Sequence, residues 1–359
     1  MLKRVSLIAL AATLAALAVV AAAVARPSTH ATTSTSTAGV SCKKGVSVGM
    51  LAPITGPAGS IGSDQLHWAQ FYFTQWNKVK GHVKIKLVQG DTQLDPSKAS
   101  TVAQSFASGS ATRVSLTDGS NKGYFFRDVP NDGVQGPTAA SYMINKLKVK
   151  SGDSVMVVDD QESYSTGLAD IVGPALTSKG VKVDRESISQ KATDFSSLVA
   201  KVTSSVKVVF LPFQLASQAQ LFAQQLKAQG KSAIVFGSDG TFDSSKFTVD
   251  GSYISFFAPD VTTIAKDASI VKAFQKQFPG ATSPFGAPNY VLAQMYASAI
   301  TRSCGDGKST RAEVRKNLAK VVLASSLLGT PIKFTANGDL AGAQFHIFKI
   351  VNGKYVTIQ

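Results

Sequence analysis

The amino-acid sequence predicts an α/β fold in which mostly parallel sheets are flanked by helices. Short apolar runs alternate with helical patterns along most of the 359 residues, and this alternation is typical of parallel strands joined by crossover helices. The runs are rich in Val, Ile and Leu, as expected for strands that are buried on both faces. Glycine, serine and aspartate fill the loops after the strands, where ligands of open α/β sheets bind.

The elements are predicted in a regular order. The first strand spans Val46–Ala52, and a helix rich in aromatic residues follows over Asp64–Asn77. Further strands are predicted over Val83–Gln89, Val155–Val158, Val181–Arg185, Val206–Leu211 and Ala233–Phe236. Further helices are predicted over Pro96–Ala107, Gly136–Leu147, Thr166–Ser178, Phe195–Ser204, Leu215–Gln229, Asp267–Phe278, Pro288–Arg302 and Thr310–Ala319. Short strands with Asn-Gly turns close the chain over Ile332–Thr335, Gln344–Ile350 and Tyr355–Ile358.

Residues 1–25 are typical of a signal peptide. Lys3 and Arg4 precede a long apolar run, and Ala23-Val24-Ala25 fits a small-residue cleavage site. The run is long enough to cross a bilayer, so a membrane anchor that is retained is the alternative. We therefore expect an exported protein in the periplasm or at the outer face of the cell membrane.

A segment rich in serine and threonine, residues 26–41, follows the signal peptide. Its composition cannot form a core, so we expect a flexible tether. Gly39 lies where a lipoprotein signal needs an apolar residue, which argues against a lipid anchor at Cys42.

Cys42 and Cys304 are the only cysteines. In an exported chain such a pair suggests one disulfide, and two free thiols are the alternative.

The chain is basic, with a formal charge of +15 that falls to +13 when Lys3 and Arg4 leave with the signal peptide. This excess predicts attraction to anionic surfaces. The lysines are scattered, without interleaved aromatic residues or a recognition motif, so we expect a solvated surface and no nucleic-acid partner. The four histidines are isolated from one another, and we expect neither a metal site nor a cofactor.

Motifs of nucleotide binding and catalysis are incomplete. Gly56, Gly59 and Gly62 have the spacing G-x-x-G-x-x-G, which is not that of a dinucleotide fingerprint. Gly307-Lys308-Ser309 does not complete a P-loop, because the position of its first glycine is Arg302 and a helix precedes it. No G-x-S-x-G elbow occurs, and we expect a protein that is not an enzyme.

Several strand-end loops carry candidate ligand groups. Asp239 follows the last parallel strand in a tight Gly-Ser-Asp-Gly turn, where a carboxylate can meet a cation; a helix N-cap is the alternative. Tyr164 lies at a helix start, where it can cover an apolar ligand or be a surface residue. The glycine loop after the first strand precedes a helix N-terminus, whose N–H groups favour an anion. Asp159, Asp160 and Glu162 share one loop, which we interpret as a solvated turn.

Several segments together resemble one protein family. MLAPITGPAGSIG is similar to the opening of the Leu/Ile/Val-binding proteins, the branched-chain amino acid class of type I periplasmic solute-binding proteins of ABC transporters. It is followed in the family's order by SATRVSLTDG, YFFRDVPNDGVQGPTAASYM, DQESYSTGLAD and FGSDGTFD. The closing TPIKFTANGDLAGAQFHIFKI resembles the final strands of that family, so the resemblance covers residues 42–359.

This resemblance implies a two-lobed fold of the type I periplasmic-binding-protein class. Three crossovers join the lobes, which close on a ligand between them. Lobe one is expected at residues 42–130 and 259–340, and lobe two at 131–258 and 341–359. Closure is then a hinge motion in which the ligand favours the closed state through its additional contacts there.

The resemblance also implies roles for individual residues. Ser110, Ala111 and Thr112 match the segment of lobe one that holds the ligand carboxylate through backbone N–H groups and a hydroxyl. Tyr164 matches the aromatic residue that packs on the bound amino acid. Asp239 matches the acidic residue that accepts the α-ammonium group.

Three further positions are implied to line the ligand site. Ile61 stands where some family members have tyrosine in the first loop, and it makes that wall more apolar. Phe213 and Gln214, at the end of the predicted strand Val206–Leu211, lie near another ligand contact.

The sequence departs from the family in lobe one. In the family, the helix matching Pro96–Ala107 leads into a strand, a serine-bearing loop, a helix and a second strand before the segment matching Ser110. Here residues 106–109 run directly into Ser110, so about one βαβ unit, on the order of 30 residues, is absent. The family's missing serine contacts the ligand carboxylate. A deletion, a compensated variant and a diverged paralogue that does not bind are the three explanations.

These inferences predict an exported, non-enzymatic solute-binding protein. We expect a monomer that delivers a small amino acid, branched-chain or similar, to the permease subunits of an ABC importer. The alternatives are a ligand-sensing or binding-deficient protein on the same fold and an exported α/β enzyme.

Overall fold

The computed structural model describes residues 39–94, 106–281 and 283–359. The predicted signal peptide, most of the predicted tether and most of the helix predicted over Pro96–Ala107 lie outside these residues. The chain divides at Gly39 into two units, and every feature below belongs to Val40–Gln359. Within the described ranges, no helix combines the length and the apolar character needed to cross a membrane.

The described residues form fifteen strands and eight α-helices. The strands are β1 (Val40–Ser41), β2 (Val46–Ala52), β3 (Ile85–Asp91), β4 (Phe106–Ser108), β5 (Phe125–Arg127), β6 (Ser154–Asp159), β7 (Lys182–Ser187), β8 (Val206–Leu211), β9 (Ile234–Gly237), β10 (Tyr253–Phe256), β11 (Lys308–Ser309), β12 (Val322–Leu323), β13 (Ile332–Lys333), β14 (His346–Val351) and β15 (Lys354–Thr357). The helices are α1 (Gly59–Lys78), α2 (Asp132–Asn145), α3 (Ser163–Thr177), α4 (Ser196–Ala200), α5 (Ala216–Ala228), α6 (Ala268–Gln277), α7 (Ala287–Ser303) and α8 (Arg311–Leu318).

Seven strands form one sheet, in the order β15-β14-β10-β9-β8-β6-β7. The strands from β10 to β7 run parallel, whereas β14 pairs antiparallel with both β10 and β15. We call this sheet, together with the helices α2–α5, lobe two. Three predicted strands of this sheet, those at β6, β8 and β9, agree with the structure to within one residue. β10 was not predicted, because Tyr-Ile-Ser-Phe is neither a continuous apolar run nor a clear alternation.

The centre of lobe two is apolar because β6 and β8 have nearly continuous apolar sequences. Val155, Val157, Val208 and Phe210 are fully buried, and each side chain of this kind contributes about 1.5–3 kcal/mol on burial. Helices cover both faces, as parallel strands require. One face is packed by Met143, Leu168 and Val172, and the other by Phe195, Leu198 and Phe222.

The strands nearer the N-terminus form two separate parallel pairs. β2 pairs with β3 in the register Val46↔Ile85, and β4 pairs with β5 in the register Phe106↔Phe125. Helices α1 and α7 pack together and on the β2-β3 pair. We call the strands β2–β5, together with the helices α1 and α6–α8, lobe one. The prediction of helix through Ala107 is wrong at its end, because Phe106–Ser108 pairs with β5 as a strand.

The outer edge of β2 has no strand beside it within the described residues. In a parallel strand, alternate residues bond to opposite neighbours. The Val46 N–H and the Ala52 carbonyl bond toward β3, so the backbone groups of Ser47, Gly49 and Leu51 point the other way. Ser47 and Gly49 are exposed.

The equivalent edge of β4 is covered by a side chain. The N–H of Ala107 donates to the hydroxyl of Tyr296, a residue of α7, over 3.2 Å. Burial raises the pKa of Tyr296 to about 12, so this hydroxyl stays neutral and is available as an acceptor. A helix side chain therefore satisfies an amide that a neighbouring strand would otherwise bind.

A disulfide between Cys42 and Cys304 joins the entry to β2 with the end of α7. Just before it, β1 pairs antiparallel with β11, in the register Val40↔Ser309. The last two residues of the predicted tether therefore belong to a strand.

Candidate functional site

The carboxyl ends of the parallel strands of lobe two meet around Asp239. This residue begins a 3₁₀ turn directly after β9, and only 3% of its surface is exposed. The turn is tight, because a Cβ atom at Gly240 would lie 2.5 Å from the carbonyl oxygen of Phe213. Only glycine fits at position 240, and its small size lets the turn approach the end of β8.

The Asp239 carboxylate accepts hydrogen bonds from side chains of two helices. The Tyr164 hydroxyl donates to Oδ1 over 2.5 Å, and Nε2 of Gln135 donates to the same oxygen over 2.6 Å. Gln135 is anchored in turn, because Nε2 also donates to the hydroxyl of Ser255 over 3.0 Å. Burial raises the pKa of Asp239 to about 6, although both hydrogen bonds favour the charged form. Among the described residues, the Asp239 side chain caps no helix and instead binds side chains of α2 and α3.

Tyr164 lies in the first turn of α3, as the sequence predicts. Burial, followed by the charge of Asp239, raises the pKa of its hydroxyl well above the ordinary value. Tyr164 is therefore a neutral donor, and its ring lies beside the carboxylate.

A second buried acid, Asp132, lies near Asp239 and was not singled out from the sequence. Asp132 is fully buried, and neither carboxylate oxygen has a hydrogen-bond partner among the described residues. Burial, then the charge of Asp239, raises the pKa of Asp132 to about 7. An acid in the first turn of a helix usually complements the helix dipole at the surface, so the sequence carried no signal that Asp132 is buried.

The start of α2 is bound to the segment Ser110–Thr112. The N–H of Asp132 donates to the carbonyl of Thr112 over 2.8 Å. The Thr112 side chain is 2% exposed, and its hydroxyl has no hydrogen-bond partner within the described ranges. Thr112 thus lies beside the acids, and the other two predicted residues of its segment, Ser110 and Ala111, precede it directly.

Arg127 binds the backbone of the segment Ser110–Thr112 and holds its conformation. It is fully buried, and it donates to the carbonyl of Ala111 over 2.8 Å and to the hydroxyl of Thr117 over 2.5 Å. Its Nε atom lies 2.8 Å from a carboxylate oxygen of Asp339, which supplies the opposite charge. Breaking a buried pair of this kind costs about 3–5 kcal/mol, because one charge is left uncompensated.

Two amides of the first loop bind a carboxylate of the chain itself. The N–H groups of Ile54 and Thr55 donate to Oδ1 of Asp91 over 2.9 and 3.2 Å, and the Thr55 hydroxyl donates to Oδ2 over 2.5 Å. The amides of Gly59 and Ile61 donate to carbonyls of the same loop. Asp91 therefore occupies the amides of Ile54 and Thr55, whereas the Ser60 amide in the first turn of α1 donates to no described residue, and an anion at this helix start stays a prediction.

Three predicted site residues remain. Ile61 and Gln214 line the same gap, whereas Phe213 lies elsewhere. Ile61 and Gln214 line a gap of only about 10 Å³ with Gly240, which is roughly the space of one water molecule. The ring of Phe213 instead packs on Phe195 in the core of lobe two, with centroids 5.9 Å apart. The prediction that the Phe213 side chain contacts a ligand is therefore wrong, because β8 ends inside the core.

The loop after β6 is not the solvated turn that its acids suggested. Asp159 is buried and pairs with Arg185, with 2.7 Å between Nη2 and Oδ2. Asp160 is fully buried and accepts hydrogen bonds from the N–H groups of Glu162 and Gln214 over 3.1 and 3.0 Å. Both acids therefore hold neighbouring strand-end loops together around the site.

The site combines two buried carboxyl groups with a neutral hydroxyl donor and an unpartnered threonine. Where the structure describes the chain, no group of three or more His, Cys, Asp or Glu side chains is placed to hold a metal ion. Hydrogen bonds from an ammonium group to such carboxylates are charge-assisted and contribute about 1.5–3 kcal/mol each. The arrangement can therefore bind a small cationic group in a largely water-free setting.

Comparison with known sequences supports a binding role. A family model of periplasmic binding proteins matches residues 45–112 and 106–354. The two matches overlap at 106–112, where the sequence analysis expects lobe one to lack a unit. Leu/Ile/Val-binding protein homolog 3 of Brucella melitensis is 26% identical over 355 residues, which cover 88% of this chain and 94% of the relative.

Solved structures confirm the predicted fold class. The isoleucine complex of a branched-chain amino acid transporter substrate-binding protein from Streptococcus pneumoniae has a TM-score of 0.74 and 21% identity, and the match covers 88% of this chain and 100% of that one. A fatty acid ABC transporter substrate-binding protein from Thermomonospora curvata has a TM-score of 0.79 and 19% identity, with 88% and 91% covered. These neighbours are substrate-binding proteins and not enzymes. With the family match over most of its length, the chain belongs to the periplasmic binding protein family.

Proposed function

We propose that this chain is the exported solute-binding component of an ABC importer and that it carries a small amino acid, branched-chain or similar. The observation that carries the proposal is the pair of buried acids, Asp239 and Asp132, beside Tyr164. Neither acid is within ion-pair distance of a basic group in the described parts of the chain. The charges of Arg127 and Arg113 favour the ionised form of Asp132 only in part, because burial and Asp239 still raise its pKa. No basic group among the described residues offsets the burial of Asp239. A buried carboxylate is costly, and a ligand ammonium group at Asp239 supplies the opposite charge.

The ligand is proposed to lie between the two lobes. In this arrangement Asp239 accepts the ammonium group, Tyr164 packs on the ligand, and Ser110–Thr112 faces its carboxylate. Ile61 and Gln214 form the walls on either side. An amino acid ligand is supported by the relative named for leucine, isoleucine and valine and by the neighbour solved with isoleucine. Another neighbour is named for fatty acids, so the fold alone does not determine the ligand class.

Closure of the lobes is proposed to be a hinge motion. It is supported by contacts between the start of α1 and the segment after β9, where the Ser60 hydroxyl donates to Oδ2 of Asp243 and accepts from Nζ of Lys246, both over 3.3 Å. Lobe boundaries at 130/131, 258/259 and 340/341 are proposed on the same basis. All seven strands of the large sheet fall between 154 and 256 or between 346 and 357, inside the proposed second lobe.

The direct test is calorimetric titration of the folded protein with a panel of amino acids. We expect binding of at least one of leucine, isoleucine and valine. Asp239→Asn should weaken that binding roughly 10- to 100-fold, because it removes one or more charge-assisted hydrogen bonds. The control is Asp194→Asn, which changes an exposed acid on the loop before α4. Unchanged affinity in Asp239→Asn would refute the ammonium role.

A second candidate function is a binding-deficient or ligand-sensing protein on the same fold. It is favoured by the two separate strand pairs of lobe one and by the absent serine-bearing loop. Folded protein that gives no heat with any amino acid of the panel would support this candidate and exclude the first.

A further inference from the structure

The segment expected to face the ligand carboxylate has few free donors. The N–H groups of Ser110 and Ala111 donate to the hydroxyl of Ser108, over 3.3 and 2.9 Å. The amide of Thr112 and the hydroxyls of Ser110 and Thr112 have no hydrogen-bond partner among the described residues, and the Thr112 hydroxyl lies near the Asp132 carboxyl. The serine that the family resemblance would add is absent from the sequence. These donors are neutral, and a buried carboxylate is costly to desolvate, so a charged donor beside them would bind it more strongly.

Arg113 follows this segment directly, and part of its guanidinium is unused. Its Nε atom donates to the hydroxyl of Ser115 over 3.1 Å. Its Nη1 atom is buried and has no acceptor in the described parts of the chain. Buried donors of this kind are rarely left unmatched in native proteins, so an acceptor is expected to arrive from outside the chain.

The guanidinium lies on the helix that carries Tyr164. A Cβ atom at Gly167 would be only 3.1 Å from Nη1 of Arg113, so the guanidinium packs against the α3 backbone at this glycine. Tyr164 and Gly167 are three residues apart and therefore share one face of α3. Arg113 thus approaches the same face from which Tyr164 reaches Asp239.

Arg113 forms no ion pair among the described residues, so its charge is available to an anion. Burial and Asp239 raise the pKa of Asp132, and the charge of Arg113 opposes this rise, so the guanidinium is near the acids. No ion pair joins Arg113 to Asp132, whose oxygens have no partner among the described residues. Arg127, which lies beneath the same loop, is already engaged by Asp339 and two carbonyls.

We propose that Arg113 binds the ligand carboxylate together with Thr112, in place of the absent serine. This inference rests on the proposed function and narrows the ligand class to molecules that carry a free carboxylate beside the ammonium group. The carboxylate receives charge-assisted hydrogen bonds from Nη1, and the ammonium group lies at Asp239. An amide of the same amino acid should then bind much more weakly.

The test compares L-leucine with L-leucinamide, or the tightest-binding amino acid of the panel with its amide. Wild-type protein should prefer the free acid by about 10- to 100-fold, the worth of one or more charge-assisted bonds. Arg113→Gln should remove most of this preference by weakening the acid while leaving the amide within about twofold. The matched control is Arg302→Gln, which changes an exposed arginine of α7 and should leave both affinities unchanged.

The outcomes separate the two proposals. Wild-type protein that binds no amino acid overturns the proposed function and this inference with it. Wild-type protein that binds leucine, with Arg113→Gln unchanged or weakened equally for acid and amide, overturns the role of Arg113 alone. If Arg113→Gln does not fold, Gly167→Ala serves instead. The added methyl group crowds the guanidinium, so it should reduce the affinity for leucine and spare that for leucinamide, and equal loss for both would overturn the inference.

Discussion

Lobe two and lobe one both contain parallel strands, but they satisfy the edges of those strands by different means. In lobe two each strand from β14 to β6 has a neighbour on both sides, and the Val-rich centre is buried. In lobe one β2-β3 and β4-β5 are separate pairs, and side chains or exposure replace the neighbouring strand. The unit that the family resemblance leads us to expect would fit between β2 and β4, because among the described residues one edge of β2 has no neighbouring strand and the edge of β4 is covered by Tyr296.

Lobe one therefore depends more on isolated contacts than on a continuous sheet. The Cys42–Cys304 disulfide, the Tyr296–Ala107 hydrogen bond and the bonds of Asp91 to the first loop each stabilise a different part of it. Both tryptophans of the chain, Trp68 and Trp76, lie in α1. Tryptophan fluorescence consequently reports on lobe one, whereas far-UV circular dichroism reports on both lobes.

The largest expected effect comes from the disulfide. Replacing Cys42 and Cys304 together by serine should lower the free energy of unfolding by about 2–5 kcal/mol, because the open chain gains conformational freedom. In urea, the fluorescence midpoint should fall below the midpoint from circular dichroism, since the bridge lies in lobe one. Coincident midpoints in the variant would contradict a difference in stability between the lobes.

The second prediction concerns Asp64, a buried acid of α1 that packs on Gly286 at the start of α7. Burial raises its pKa to about 7, although the Gly286 amide opposes the rise. Between about pH 4 and 7 the folded chain keeps a proton that the unfolded chain has lost, so stability falls as the pH rises. The loss is up to about 1.4 kcal/mol per pH unit, or roughly 2–3 kcal/mol between pH 5 and 8.

Asp64→Asn should remove this part of the pH dependence, which urea unfolding at pH 5 and pH 8 can measure. The fluorescence midpoint, which reports lobe one, should depend less on pH than that of the wild type, and Asp128, whose pKa burial also raises, should account for part of the dependence that is left. The dichroism midpoint should keep some dependence, because Asp239 and Asp132 titrate at about pH 6 and 7 in the folded chain. A variant whose fluorescence midpoint still falls as steeply as that of the wild type would show that Asp64 ionises normally.

The smallest expected effect is that of Tyr296→Phe. The change removes the acceptor of the half-buried Ala107 N–H group and should cost about 0.5–1.5 kcal/mol, the net worth of one hydrogen bond. The matched control is Tyr142→Phe in lobe two, whose hydroxyl has no hydrogen bond to another described residue, and it should change stability by less than about 0.5 kcal/mol. Equal effects of the two variants, measured by urea unfolding, would indicate that the β4 edge does not need Tyr296.

The sequence predicted long, regular elements well and short ones poorly. β6 and β8 were recovered because an apolar run bounded by turn residues is a local signal. β4 and β5 have only three residues each, too few for a periodic pattern, and their pairing depends on contacts distant in sequence. The helix predicted over Phe195–Ser204 is helical only over Ser196–Ala200, and the β-branched Val202 and Thr203 that follow are weak helix formers.

The site was predictable to the extent that sheet topology determines it. Asp239 and Tyr164 meet because parallel strands end at one edge of the sheet, which the alternation of elements already implies. Asp132 could not be found in this way, since its burial depends on how α2 contacts Thr112 and Asp239. An anion at the start of α1 stays a prediction, because Asp91 binds the amides of Ile54 and Thr55 and not those of the first helical turn.

Where the structure describes the chain, no strand pairs with the outer edge of β2, and this edge affects how the protein behaves in concentrated solution. Proteins usually protect such edges with charged residues, proline or a bulge, and β2 (Val-Ser-Val-Gly-Met-Leu-Ala) contains neither charge nor proline. Its outward backbone groups form a seven-residue template on which another extended chain can add. Aggregation during refolding should therefore begin at Val46–Ala52, and a lysine on that strand should improve the yield of soluble protein.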